Sequence, residues 1–108
     1  MEKTVGMRIK EQRMRLHMTQ EYLAEVMHVP KSTISAYEND KVDIKNSVII
    51  ELCHHLRTEP NYLLGFQEYE KSEEEEYIDA VVVMLNRIKD RKMREVLFKQ
   101  IEVIAEFS

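Results

Sequence analysis

Tryptophan is absent, and the 108 residues include only two prolines, two glycines and one cysteine. One cysteine excludes an internal disulfide, so a reducing cytoplasm is the expected setting. The longest apolar runs, such as Ala80 to Leu85, are too short to span a bilayer. The N-terminus lacks the apolar stretch of a signal peptide, and no membrane partner is expected. There is no excess of basic charge either. Residues 1–60 hold nine Lys/Arg and nine Asp/Glu, while residues 61–108 hold seven and eleven, so the net charge of −4 lies entirely in the second part. A nucleic-acid binder usually shows a basic patch, so the overall charge gives no hint of one.

No glycine-rich phosphate loop or hydrolase nucleophile motif is present, so neither an enzyme nor a cofactor is expected. Cys53-His54-His55 does not make a metal site, because adjacent helical residues point apart and a helical ligand pair wants a spacing of three or four. Cys53 is expected to pack as a small apolar residue. Glu73 to Glu76 lacks the alternating ligands of a calcium loop and reads as a solvated helix start, where negative charge complements the helix dipole.

What is present is helical periodicity nearly throughout, giving an all-α class. A first helix is predicted over Thr4 to Leu16, with Val5, Ile9 and Leu16 near one face. Thr19 reads as the N-cap of a second helix with Tyr22, Leu23, Val26 and Met27 as its stripe. Pro30 breaks that helix at Val29. The third runs from Lys31 to Glu38, with Ile34 and Tyr37 inward and Ser32, Ser35, Ala36 and Asn39 on the opposite side. A fourth covers Ser47 to Leu56, and Pro60 opens a short fifth that Gly65 closes. This outlines a five-helix domain over residues 1–66. An acidic linker and helix start follows over 67–76, then a C-terminal helical hairpin over 77–108. Ile78, Val81, Val82, Leu85 and Ile88 stripe its first helix; Met93, Val96, Leu97, Ile101 and Ile104 stripe its second, which Asp90 caps. Such stripes suit pairing with a second copy into a four-helix dimer interface, the alternative being packing on the hairpin's own domain.

The segments RIKEQR, TQEYLAEVMHVPKSTISAYENDK and VIIELCHHLRTEPNYLLG, in that order from Arg8 to Gly65, resemble the phage-repressor-like (Cro-type, XRE) helix-turn-helix family. That resemblance implies double-stranded DNA as partner, with the third helix entering the major groove while the second crosses the backbone. It implies Lys31, Ser32, Ser35 and Ala36 as base readers, and Gln20, Thr33, Asn39 and Lys41 as phosphate or positioning contacts. Ala24, Val29 and Ile34 fall at the motif's core positions, and Arg13 with Glu38 at those of an ion pair that orients the recognition helix. Where the family often has glycine at four turns, this chain has His17, His28, Asp40 and Arg57. Pro30 replaces a frequent hydroxyl cap, which its fixed φ would partly offset as the first helical residue. The function implied is a homodimeric transcriptional regulator, most often a repressor, on an inverted-repeat operator. The rivals are an antitoxin of the same fold and a protein-interaction module that has lost DNA binding.

Overall fold

The computed structural model describes residues 2–108. Among them are seven helices and no strand: α1 (Val5–Arg15), α2 (Gln20–Met27), α3 (Lys31–Glu38), α4 (Asn46–His55), α5 (Pro60–Leu63), α6 (Glu73–Arg87) and α7 (Arg91–Glu106). Most helix starts have a visible cause. The Thr4, Thr19 and Ser72 hydroxyls and the Asp90 carboxylate accept bonds from the otherwise orphan N–H groups of Met7, Tyr22, Glu75 and Met93. Pro60 occupies the start of α5, where a missing N–H costs nothing. The first four helices are followed by left-handed residues, His17, His28, Asp40 and Arg57, with φ of 57°, 57°, 55° and 50°. These are the four turns where glycine would be usual, and each side chain there carries a strain of roughly 1–2 kcal/mol. Pro30, by contrast, is not the first helical residue. It is the N-cap of α3, with φ −63° and ψ 151° and no side-chain cap bond, so the compensation expected of it is absent.

The core joins all five N-terminal helices through Ile9, Leu16, Leu23, Ile34, Leu52, Leu56 and Leu63, each essentially without exposed surface. Burying such side chains stabilises by about 1.5–3 kcal/mol apiece. Helix α3 packs against both α1 and α2, which seats it from two sides. Gln12 is a polar residue in this interior: buried, it donates from Nε2 to the Leu56 carbonyl at the end of α4 over 2.9 Å. Cys53 does pack in the core, where burial pushes its thiol pKa up.

Two further helices follow the domain. Helix α6 docks on it through Asp79, Ala80 and Val83, the last joining the core. The five-residue apolar stripe foreseen for this helix is therefore not the side the domain takes: Ile78 and Val81 stay exposed and Val82, Leu85 and Ile88 are half-buried. Polar chemistry decides the side. Asp79 accepts from Arg57 Nε at 2.9 Å and from Lys71 Nζ at 2.6 Å. The Arg87 guanidinium lies 3.9 Å from the centre of the Tyr22 ring on α2, a cation–π contact. No residue of α7 is buried.

Burial pushes the Asp79 carboxyl pKa up, but the bonds from Lys71 and Arg57 more than offset this and hold it below the ordinary value. A depressed folded pKa gives stability that is complete above the unfolded value, near 4, and lost as pH falls through the folded one. Helix α6 is thus expected to loosen below about pH 4. Asp79→Asn is expected to loosen it at neutral pH, with both effects followed through the Val83 methyl resonances. An unchanged Val83 environment in the Asn variant would remove Asp79 from the docking account.

Candidate nucleic-acid interface

Helices α2 and α3 pack directly on each other. Ala24 is buried, its methyl leaving room for that approach, while Val29 in the connecting turn is half-buried against the core. His28 makes the turn in the left-handed conformation, and the Val29 N–H returns to the Ala24 carbonyl at 3.0 Å. Ile34 has no exposed surface and fixes α3 to the domain. The outer surface of α3 carries Lys31, exposed at the helix start three residues before Ile34, with Ser32, exposed, and the half-buried Ser35 and Ala36 on the side away from Ile34. It is low in relief, and its polar groups are an ammonium and two hydroxyls.

Glu38, at the end of α3, is saturated with donors. Arg13 gives Nε to Oε2 at 2.6 Å and Nη2 to Oε1 at 3.0 Å, and Gln20 Nε2 gives a third bond to Oε1 at 3.0 Å. Arg13 Nη1 also donates to the Met18 carbonyl at 2.8 Å. The two charged side chains are only 10% and 1% exposed. Fork geometry of this kind fixes orientation as well as charge balance. The structure thus brings Arg13, Glu38 and Gln20 together, and Gln20 spends part of its amide inward on Glu38 rather than wholly outward. Asn39 likewise turns its amide back to the Ser35 carbonyl, 2.8 Å away. Thr33 is half-buried, and Lys41 is exposed.

Two contacts of this seat are not legible in the sequence, although Asp40 and Lys31 are themselves singled out there. Asp40, one residue past the cap of α3, accepts from the Gly6 N–H at 3.0 Å and from the Thr4 hydroxyl, tying the end of α3 to the start of α1. Gly6 lies so close that an added Cβ would meet the Tyr37 and Glu38 carbonyl oxygens at 2.5 and 2.6 Å. The signal for it was a glycine inside a helical pattern, which marks a close backbone approach. Because the atoms it would strike are backbone, Gly6→Ala is expected to cost about 1–3 kcal/mol or more in a urea melt. A variant as stable as the parent would show that α1 and α3 separate freely. The second feature is Glu21 on α2, which holds Lys31 Nζ at 2.8 Å with both side chains more than half exposed. That bond, the largest influence on it, holds the Glu21 carboxyl below the usual carboxylate range. Nothing in the spacing reveals this pair, since it bridges two helices.

Comparison with known proteins bears on the same region. A family model described as Helix-turn-helix matches residues 9–63, a span that contains α2, α3 and the turn between them. The HTH-type transcriptional regulator ImmR of Bacillus subtilis (strain 168) is 28% identical over 79 residues, which is 73% of this chain and 62% of that protein. The match therefore spans less than two thirds of the relative's length.

Proposed function

The chain belongs to the helix-turn-helix family of the phage-repressor (XRE) type, and from that premise we propose that it is a sequence-specific DNA-binding transcriptional regulator, acting as a repressor on an inverted-repeat operator. One observation carries the reading: the Ile34 anchor and the buried Arg13–Glu38 pair hold α3 with its low, hydrogen-bonding side turned outward. On this reading Lys31 donates to guanine O6 or N7, Ser32 and Ser35 bond base edges, and Ala36 packs on a thymine methyl. Thr33, Asn39, Lys41 and the remaining amide hydrogen of Gln20 position the domain on phosphates. Residues 1–66 form the DNA-binding unit and residues 77–108 the dimerisation element. A two-fold dimer would set two such helices in successive major grooves, about 34 Å apart.

The test is a selection of random duplex DNA on the purified chain, with the winners retested at rising salt. An enriched inverted repeat whose affinity falls steeply with salt supports the reading, because each phosphate contact releases counterions. No enrichment by a folded protein would sink it, and would favour the protein-interaction alternative that the neutral charge of residues 1–60 suggests. The Glu21–Lys31 pair gives a finer check. Glu21 places a carboxylate beside the ammonium assigned to a base, so it repels phosphate and occupies one of the three lysine donors. Glu21→Gln is expected to tighten binding to random duplex about three- to tenfold at low salt, read by fluorescence anisotropy. Weaker or unchanged binding would mean that Glu21 does not face the DNA.

A further inference from the structure

Helix α7 is 16 residues long and buries none of them. Met93, Val96, Val103, Ile104 and Phe107 are 63%, 58%, 54%, 67% and 86% exposed. A helix of this length is marginal alone in water, and a contiguous apolar surface of this kind marks an interaction site. The surface has an order. Met93, Val96, Gln100, Val103 and Phe107 recur at alternating steps of three and four, which makes one seam along the helix. Phe98 and Ile101 lie on another side, beside Leu85 of α6. That side borders α6 yet stays open, with Phe98 64% and Ile101 46% exposed, so what selects the seam is its order and not its greater exposure.

The charges show what the seam meets. Arg91, Lys92 and Arg94 open α7, while Glu102 and Glu106 close it; the first turn has no acid and the last no base. This is the reverse of what the helix dipole favours, so it weakens α7 in isolation. A second α7 running the opposite way turns the layout to advantage, because the basic start of each helix then lies along the acidic end of the other and the two dipoles oppose. A parallel pair would set like charge against like. We infer that α7 pairs antiparallel with α7 of a second copy, about a two-fold axis at Gln100. This rests on the homodimer reading above and adds the segment, its direction and its register. In a two-fold contact residue i meets j and j meets i. Gln100 therefore meets its own copy, its amide both donating and accepting, and Met93 meets Phe107 of the partner subunit. A polar residue at the centre of an apolar seam fixes register at some cost in stability.

The experiment uses the full chain. Sedimentation across a concentration series gives the oligomeric state, and oxidative cross-linking then gives the arrangement, with buried Cys53 as the internal control in the parent protein. Gln100→Cys is expected to cross-link to itself, and a mixture of Met93→Cys and Phe107→Cys chains to each other. Met93→Cys alone is expected to stay reduced, because its two copies would lie about 20 Å apart, whereas a disulfide needs Cα atoms within about 7 Å. Lys92→Glu with Arg94→Glu is expected to weaken the dimer about tenfold at low salt, and adding Glu102→Lys with Glu106→Lys to restore it. A dimer in which Met93→Cys links to itself, or in which none of these pairs links, overturns the inference and leaves the homodimer standing. A chain that is monomeric at every concentration overturns both, and would leave the seam to a different protein.

Discussion

Glu38→Ala is expected to destabilise the domain by about 3–5 kcal/mol, because it leaves the Arg13 guanidinium buried without its counter-ion. Arg13 is 10% exposed at the side chain, and with Glu38 gone its one remaining bond among the described residues is to the Met18 carbonyl. Gln20 loses a partner in the same step. Against a domain stability of about 5–15 kcal/mol this is a large fraction, and a urea melt reads it directly. The informative companion is the double variant Arg13→Met/Glu38→Leu. Replacing both members of a buried pair by apolar groups of similar volume is often neutral in stability. If the pair serves to aim α3, the double variant folds as well as the parent but loses discrimination between operator and random duplex. Full discrimination in a folded double variant would show that Ile34 and the Asp40–Gly6 contact suffice to set the helix.

Lys31→Ala/Ser32→Ala is expected to leave stability nearly untouched and remove most sequence-specific binding. Both side chains are exposed, and substitutions at such positions usually stay within about 0.5 kcal/mol. A good base contact is worth about 1–3 kcal/mol of discrimination, so losing two costs about 2–6 kcal/mol per half-site, or roughly 30- to 20,000-fold. In a dimer the loss acts at both half-sites. Anisotropy titrations on a selected duplex and a scrambled one measure it, with Lys41→Ala as the contrasting variant. That change should weaken both duplexes alike and lower the salt slope by about 0.9, as loss of a phosphate contact does. Equal losses on both duplexes for the double variant would move Lys31 and Ser32 from reading to positioning.

The legible parts of this protein were those governed by local chemistry. Thr19 and Asp90 announce their helices because a capping oxygen is needed wherever backbone N–H groups go unpaired. The turns at His17, His28, Asp40 and Arg57 were placed through the family pattern, which often has glycine there, and all four take positive φ. Spacing also showed that Ile34 is the anchor of α3 and that Ser32, Ser35 and Ala36 face away from it. The Arg13–Glu38 pair was named only through a family pattern, since no period links two residues so far apart in sequence.

What the sequence determined by itself was the order of the helices, their ends, and which stripe of each is apolar, all properties of a few neighbouring residues. Tertiary structure alone decided how those stripes are used. Helix α6 has an apolar stripe through Ile78, Val81 and Leu85, yet it docks by Asp79, Ala80 and Val83 because Arg57 and Lys71 wait there for a carboxylate. Gly6 matters because two backbone carbonyls from the end of α3 rest on it, and Lys31 is held by a glutamate on another helix. Periodicity reports which side of a helix avoids water. It carries no record of which surface arrives to cover that side, because that depends on residues far away in the chain and near only once it has folded.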